Sequence, residues 1–306
     1  MWMSDEKLAD CLRIDPAIET EDIIGRIQEF SDRQLRDCRK EMFGAVLGLS
    51  GGLDSALVCT LLVKALGPEN VFPCLMPGPS SKTVSFEYAL ELTDKLGIPR
   101  NNRYLSGIDD KAIKSTIFSR EYLTELQKGN AMARIRMIRL RHHISFLESC
   151  DRNGLYRLAG TENASEHWTG FFTVSGDQSS DFEILSGYFK TQVWQIAKFM
   201  GIDSRIIDRD PSPELGDCAT DEQALPAPYF QLDQVLFYLL ELCGSAQVTK
   251  KIVNMSGTED LVDLVRPHLR GSVDEEIVEK VIVWVKSRLG KIEIPYHLGE
   301  ARLFQD

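Results

Sequence analysis

The sequence predicts an α/β fold: a Rossmann-like doubly wound parallel sheet with helical additions at both ends of the chain. Two observations predict it. Short apolar runs at residues 45–49, 71–75 and 155–159 alternate with stretches of helical periodicity, as in a parallel sheet covered by helices on both faces. Polar segments at 50–55 and 160–166 follow two of these runs, at the sheet edge where such folds bind ligands.

Other segments complete the prediction. We expect a polar helical extension over residues 1–40 with Thr20 as an N-cap, a mainly helical part over 230–306, and one domain spanning 1–306. Between these parts the pattern predicts a strand at Tyr104 and Leu105, helices at 85–96, 121–148 and 190–200, and a loop at 202–228.

The composition restricts the class of protein. The chain has 306 residues and a formal net charge of -11, which disfavours binding to a nucleic-acid backbone by bulk electrostatics. Its seven cysteines form no C-x-x-C pair, which favours reduced thiols over a disulfide framework. The N-terminus lacks the apolar core of a secretory signal, and no apolar run reaches the length of a membrane span. We therefore expect a cytoplasmic protein with neither a nucleic-acid nor a membrane partner.

The hexapeptide SGGLDS joins a predicted buried strand to a predicted helix. Gly51 and Gly52 allow a tight turn, and free backbone N–H groups there attract an anion, with Ser50 and Ser55 as hydroxyl donors. Asp54 would repel a phosphate at this place unless Mg²⁺ lay between them. The lysine of the Walker pattern is absent. The alternative is a plain strand–turn–helix junction with Asp54 as a first-turn charge.

This hexapeptide resembles the pyrophosphate loop of the N-type ATP pyrophosphatases. That superfamily includes NAD⁺ synthases, GMP synthases, asparagine synthetases and tRNA-thiolating enzymes. The resemblance implies an adenine nucleotide alpha hydrolase-like fold and cleavage of ATP between its α and β phosphates. The loop by itself does not distinguish among these enzymes.

The segment GTENASE at residues 160–166 has two interpretations. Thr161 or Asn163 is a candidate N-cap, and Glu166 is placed as a capping-box partner of Asn163. The segment also resembles the G-T-x-N-x-S-E motif of NAD⁺ synthases, which implies that Glu166 binds Mg²⁺ opposite Asp54. Both interpretations hold together if the two carboxylates lie at the same edge of the sheet.

Further segments resemble NAD⁺ synthases in the same order along the chain. Asn130, Arg134 and Arg136 lie in a helical stretch whose cations alone indicate a solvated basic face, but which resembles the family's N-x-x-A-R-x-R-M motif. The other matches are GFFT at 170–173, GD at 176–177, KTQVW at 190–194, PSPEL at 211–215 and TDE at 220–222.

The resemblance implies the following site residues. The ATP contacts are Ser50, Gly51, Gly52, Asp54, Ser55, Thr161, Lys190 and Ser212; the substrate contacts are Asn130, Arg134, Arg136, Asp177 and Asp181; the metal ligands are Asp54 and Glu166; and the catalytic residues are Asp54, Glu166 and Lys190.

Two segments depart from the family pattern. The usual G-D-G-G-x-D is GDQSSD at 176–181, and the usual T-D-E-D-E-L-G is TDEQALP at 220–226. Because both segments belong to the region that handles the dinucleotide, an amide ligase for another carboxylate stays open as an alternative. A non-catalytic nucleotide-binding homologue also stays open, although the retained Asp54, Glu166 and Lys190 weaken it.

The resemblance implies an ATP-dependent amide ligase, and specifically an NAD⁺ synthase. Such an enzyme adenylates the carboxylate of deamido-NAD⁺, releases pyrophosphate and transfers ammonia, with Mg²⁺ as cofactor. Only about 45 residues precede the phosphate loop, which is too few for the family's N-terminal glutaminase. We therefore expect free ammonia, or ammonia from a separate glutaminase chain, and by the same resemblance a homodimer.

Overall fold

A five-stranded parallel sheet forms the centre of the computed structural model, which describes residues 12–79, 81–116, 124–211, 220–243, 251–254, 256–269, 273 and 275–292. The strand order is β3-β2-β1-β4-β5, and every neighbouring pair is parallel. The predicted doubly wound α/β fold is therefore confirmed. The strands are β1 (Met42–Gly48), β2 (Val71–Leu75), β3 (Tyr104–Leu105), β4 (Gly154–Gly160) and β5 (Phe182–Glu183).

Helices connect and cover the strands. The helices of the first half are α1 (Pro16–Cys38), α2 (Leu53–Leu66), α3 (Thr83–Lys95), α4 (Asp110–Thr116) and α5 (Glu125–Cys150). Those of the second half are α6 (Ala164–Thr169), α7 (Lys190–Phe199), α8 (Ser204–Ile207), α9 (Asp221–Ala224), α10 (Tyr229–Cys243), α11 (Thr258–Val265) and α12 (Glu275–Ile292). Short 3-10 turns occur at Pro68–Asn70, Arg100–Asn102 and Arg266–His268.

The central strand β1 is apolar because both of its faces are covered. Ala45 and Leu47 belong to the larger hydrophobic cluster, whereas the intervening Val46 belongs to the smaller one on the opposite face. Helix α5 supplies much of the smaller cluster, through residues such as Met132 and Leu140.

Pro73 lies within β2 although proline donates no hydrogen bond to a sheet. Its neighbour on one side is Leu47 of β1. On the other side β3 pairs only with Cys74 and Leu75, so β2 is still an edge at the proline. The short length of β3 therefore explains how Pro73 fits within the strand.

The N-terminal helix starts earlier than the sequence predicted. Asp15 is the N-cap, its side chain accepts from the Ala17 N–H at 3.0 Å, and Pro16 occupies the first helical position. The predicted N-cap Thr20 is wrong, because its hydroxyl donates to the Pro16 carbonyl from inside the helix. The predicted loop at 202–228 likewise contains the short helices α8 and α9 in its described residues.

The helical additions share the core of the sheet. Residues of α1, α10, α11 and α12, such as Ile23, Leu232, Leu261 and Val281, lie in the same hydrophobic cluster as Leu47 of β1. Buried Cys59 and Cys74 are free thiols. Among the helices in the described ranges, none is long and apolar enough to cross a membrane.

The strand order reverses between β1 and β4. From β1 the chain proceeds outward to β2 and β3, and it returns to the other side of β1 as β4 and then β5. In open α/β sheets, ligands bind beyond the carboxyl ends of the strands at such a switch point. The two polar segments predicted from the sequence follow β1 and β4, so the fold brings them to this point.

Candidate active site

The loop after β1 is shaped by glycine and by its own hydroxyl groups. Gly51 has a φ of 82°, and a Cβ atom there would lie 1.9 Å from the Ser85 carbonyl oxygen. Ser50 Oγ lies 2.9 Å from Ser55 Oγ and accepts from the Gly52 N–H at 3.2 Å. Gly52 offers no side-chain cap to α2, which leaves the first-turn N–H groups for a ligand. The two serines thus brace the loop in this structure.

A charged cluster joins the segments that follow β1, β4 and β5. Lys190 at the start of α7 donates to Asp54 of α2, and its Nζ lies 3.5 Å from Glu166 Oε1 of α6. The lysine side chain is 3% exposed, whereas those of Asp54 and Glu166 are 17% and 20% exposed. The ammonium group therefore lies beneath two carboxylates that open toward solvent. The three residues predicted to be catalytic are brought together.

Asn163 holds this arrangement from the end of β4. Its Nδ2 donates to Asp54 Oδ1 at 3.0 Å, and its Oδ1 accepts from the Glu166 N–H at 3.0 Å. Glu166 Oε2 in turn accepts from the Asn163 N–H, which completes the predicted capping box. Glu166 is therefore a capping residue and a member of the charged cluster at once.

The charges of the cluster are unbalanced. Burial raises the pKa of Glu166 well above its ordinary value, although Lys190 opposes the shift. Burial alone would lower the pKa of Lys190, but the carboxylates of Asp54, Glu166 and Asp221 raise it above its ordinary value. Burial also raises the pKa of Asp221. Three carboxylates surround one ammonium, so an added cation would reduce their repulsion.

Asp221 and Tyr229 complete the cluster, and the sequence assigned no role to either. The Tyr229 hydroxyl donates to Asp221 Oδ2 at 3.0 Å, and the Lys190 Nζ lies 5.6 Å from the centre of the tyrosine ring. Asp221 Oδ1 is buried and has no hydrogen-bond partner in the described part of the chain. Asp221 lies in the TDE segment that resembles a family motif, but that motif indicates no contact with Lys190.

Two carboxylates of this cluster fit a magnesium site. The carboxylates of Asp54 and Glu166 both contact Lys190 Nζ, so they face a common place beside the lysine. Mg²⁺ is commonly held by one or two carboxylates together with substrate phosphates and water. Within the described residues, no group of three or more His, Cys, Asp or Glu side chains is arranged to hold a metal ion.

Three predicted substrate contacts lie together near the GFFT segment. Asn130 Oδ1 accepts from the Thr173 hydroxyl at 2.9 Å, and Arg134 Nε donates to the Val174 carbonyl at 3.2 Å. Asp177 Oδ1 accepts from the Thr173 N–H at 2.6 Å. Asp177 is exposed as a residue, but desolvation of its carboxyl group raises its pKa to about 6, against the hydrogen bond from the Thr173 N–H. The three predicted substrate contacts therefore meet at residues 173–174.

The remaining predicted residues lie elsewhere. Arg136 donates to the Met76 carbonyl at 3.2 Å and to the Ser81 hydroxyl at 3.4 Å, beyond the end of β2. Asp181 is bound by Arg141 and by the Leu158 N–H, so it fastens the start of β5 to β4. Thr161 is partly buried at the end of β4. Ser212 lies outside the described residues.

A buried pair near the cluster was not predicted. His167 Nδ1 lies 3.2 Å from Glu162 Oε1, and both side chains are buried. The Glu162 N–H donates to Glu183 Oε2 at 3.1 Å, and the His167 ring stacks on Phe172. No periodicity or spacing in the sequence distinguishes these residues from ordinary core positions.

The chain is similar to known proteins over most of its length. A profile of the NAD synthase family matches residues 23–267. The NH(3)-dependent NAD(+) synthetase of Pyrococcus horikoshii is 35% identical over 252 residues, which are 81% of this chain and 91% of that protein.

Two solved structures resemble the fold. The NH3-dependent NAD synthetase of Campylobacter jejuni has a TM-score of 0.56 and 27% identity, covering 84% of this chain and 94% of the other. The NMN synthetase of Francisella tularensis has a TM-score of 0.67 and 23% identity, covering 92% and 98%. At that identity the second similarity supports the fold alone.

Proposed function

Because the chain belongs to the NAD synthase family, we propose that it adenylates the carboxylate of deamido-NAD⁺ with ATP and then transfers ammonia to give NAD⁺. The observation that carries this proposal is the cluster of Lys190 with Asp54 and Glu166, placed beside the phosphate loop at the switch point of the sheet. Pyrophosphate and AMP are the other products.

The reaction requires charge neutralisation more than covalent chemistry. A carboxylate is a poor acyl donor, and its attack on the α-phosphate of ATP replaces an oxide leaving group by AMP. Negative charge then builds on the departing pyrophosphate, where the N–H groups of the loop and of the α2 N-terminus would bind it. Lys190 keeps its proton, because neighbouring carboxylates raise its pKa, and so supplies a permanent positive charge.

We propose Asp54 and Glu166 as the residues that would hold Mg²⁺. When bound, the ion would neutralise charge on the phosphates. Asn163 donates to both carboxylates, to that of Asp54 from its side-chain amide and to that of Glu166 from its backbone N–H, which keeps them directed at the same place. The surplus of carboxylates over cations around Lys190 supports this assignment.

We propose Asn130, Arg134 and Asp177 as the acceptor-binding residues. They converge on residues 173–174, and Asp177 is open to solvent there. Arg136, which lies near Ser81 beyond β2, and Thr161, at the end of β4, are better placed for ATP. Ser212 keeps its role as a proposed ATP contact, and Asp181 acts through the sheet.

The departures from the family motif are compatible with a dinucleotide acceptor. Gln178, which replaces the first inner glycine of the G-D-G-G-x-D motif, is buried, and Ser179, which replaces the second, is partly buried. Ser180, at the variable position of the motif, is buried and donates to Glu183. The Ser179 carbonyl accepts from Arg141 at 2.7 Å. Because the Gln178 side chain is buried, the loss of the first glycine does not place an exposed side chain beside Asp177. This favours deamido-NAD⁺ over the alternative of a different carboxylate.

We also propose that the chain is one domain and forms a homodimer through α5. The single large cluster that includes both helical additions supports one domain. Leu126, Ile138 and Phe146 are 72%, 65% and 56% exposed on the helix that also carries Asn130 and Arg134. Leu126 lies one turn from Asn130 and Ile138 lies one turn from Arg134, so a second copy covering these two side chains would lie near the acceptor site.

We also propose a cytoplasmic location, with free ammonia or a separate glutaminase chain as the source of nitrogen.

The test is NAD⁺ formation from deamido-NAD⁺, ammonium chloride and Mg·ATP, followed by a coupled dehydrogenase. We expect NAD⁺ to appear in proportion to AMP. Nicotinate mononucleotide serves as the competing acceptor, and glutamine alone serves as the nitrogen control. No NAD⁺, together with pyrophosphate release on another carboxylate, would refute the acceptor and leave the reaction class intact.

A further inference from the structure

A buried carboxylate outside the charged cluster joins the two helices that carry Glu166 and Lys190. Asp233 of α10 is 1% exposed. Its Oδ1 accepts from the Ser165 hydroxyl at 2.6 Å, and its Oδ2 accepts from the Thr191 N–H at 2.9 Å. Since Ser165 precedes Glu166 and Thr191 follows Lys190, one side chain holds both helices.

Ser165 extends this connection to the main chain of Lys190. Its Oγ accepts from the Lys190 N–H at 2.8 Å while its proton is donated to Asp233. Phe189 provides no side-chain cap to α7. The first two N–H groups of that helix therefore find their acceptors 25 and 42 residues away in sequence. The helix end that carries the lysine is capped by other elements of the fold.

Helix α10 lies beside both the backbone and the side chain at Lys190. Asp233 lies beneath its main chain, and Tyr229, one turn earlier on the same helix, has its ring 5.6 Å from the ammonium group. A negative charge at the N-terminus of α7 is also favourable to the helix dipole. Burial raises the pKa of Asp233 to about 6, although the hydrogen bonds from Ser165 and Thr191 and the charge of Lys190 oppose the shift.

We propose that Asp233 is a positioning residue for the proposed adenylation. Its carboxylate fixes the N-termini of α6 and α7 relative to each other, and so fixes where Glu166 and Lys190 meet the phosphates. Asp233 acts through Ser165 and Thr191, not by contact with substrate. The inference rests on the proposed function, because it concerns the same charged cluster.

The decisive variant is Asp233→Asn, which keeps the shape of the side chain. An amide offers one acceptor oxygen and one donor nitrogen, so it cannot accept from both Ser165 and Thr191. We expect kcat for pyrophosphate release to fall about tenfold to a hundredfold, as for other residues that orient site ligands. The KM for ATP should stay within about threefold, because the phosphate loop is unchanged. Amide hydrogen exchange at Lys190 and Thr191 should become faster.

Two further variants separate positioning from general stability. Ile27→Ala removes a buried side chain of α1, a helix that supplies no residue of the cluster, and serves as the destabilised control, with kcat within about twofold of the wild type. Ser165→Ala should reproduce the loss seen in Asp233→Asn, and the double variant should lose no more than either one, because both act in one network.

The outcomes distinguish this inference from the proposed function. A wild-type chain that makes no NAD⁺ refutes the function, whereas the exchange measurement still tests Asp233. Unchanged exchange at Lys190 and Thr191 in Asp233→Asn would overturn the positioning role. So would a kcat within about twofold of the wild type, or a kcat loss matched by Ile27→Ala at equal melting temperature.

Discussion

Replacing Lys190 by methionine removes the one ammonium group between Asp54 and Glu166 while keeping most of the side-chain volume. The wild-type lysine is 3% exposed and contacts both carboxylates. In Lys190→Met the two carboxylates keep their mutual repulsion and lose their compensating charge. We therefore expect the variant to fold with reduced stability in magnesium-free buffer.

The size of the loss follows from the burial of the cluster. Removing one partner of a buried ion pair costs about 3–5 kcal/mol. Because Asp54 and Glu166 are 17% and 20% exposed, water screens them in part, and we expect about 3 kcal/mol at the low end of that range. At about 2–4 °C per kcal/mol, the melting temperature should fall by roughly 6–12 °C.

The loss of stability in Lys190→Met should also depend on pH. The pKa of Glu166 is raised in the folded state. Because the charge of Lys190 lowers this pKa, removing the lysine would raise the pKa further. Folding favours the protonated form of a carboxyl group whose pKa is higher in the folded state than in the unfolded state. The stability that this group contributes is therefore lost as the pH rises through its folded-state pKa. The loss in Lys190→Met should therefore be largest near pH 8 and shrink toward pH 5.

Urea unfolding followed by circular dichroism measures the loss at both pH values. The control is Lys198→Met on the same helix, whose exposed ammonium lies 4.8 Å from the Trp194 ring and should cost less than about 1 kcal/mol at either pH. Adding Mg²⁺ should restore stability to Lys190→Met more than to the control. A loss below about 0.5 kcal/mol, or the same loss at pH 5 and pH 8, would refute the argument.

Two other predictions concern the metal ligands and the phosphate loop. Asp54→Asn and Glu166→Gln should each abolish pyrophosphate release while circular dichroism shows an intact fold; near wild-type rates at saturating Mg²⁺ would make the tested residue a structural carboxylate only. Gly51→Ala should destabilise the chain by about 2 kcal/mol or more and weaken ATP binding, because φ is 82° and the new Cβ meets the Ser85 carbonyl. Gly25→Ala is its control: nothing lies within 4 Å in α1, so stability should rise by about 0.5–1 kcal/mol, and an equal loss in both variants would contradict the steric argument.

The positions of the two loops could be predicted from the sequence because local patterns determine them. Apolar runs gave β1, β2 and β4, and the polar segments that follow β1 and β4 meet at the switch point. The capping box of Asn163 with Glu166 was also predicted and is confirmed. β5 was not predicted, since two residues are too few to show a period.

The contacts around Lys190 could not be derived from local patterns. Its contact with Asp54 joins residues 136 positions apart, and the supports from Asp221, Tyr229 and Asp233 come from other helices. Only a resemblance to a family indicated that Lys190 belongs to the site. Its burial beneath two carboxylates is a product of tertiary packing.

The hydrogen bonds within the phosphate loop could not be predicted from the sequence either, although they join residues that are close in sequence. Ser50 and Ser55 were predicted to donate to a phosphate, but in the structure their hydroxyl groups lie 2.9 Å apart. Residue type correctly indicated polar groups in a tight turn. The direction of each hydroxyl depends on its neighbours, and a bound phosphate would compete for the same donors.

Transfer of oxygen from the acceptor tests the central claim most directly. Deamido-NAD⁺ labelled with ¹⁸O in its carboxylate is converted with ammonia and Mg·ATP, and the nucleotide products are analysed by mass spectrometry. Adenylation predicts AMP that carries one ¹⁸O atom, since a carboxylate oxygen becomes bonded to the α-phosphorus, together with unlabelled pyrophosphate. Formation of ADP with the label in orthophosphate, or of AMP without label, would contradict adenylation of the carboxylate.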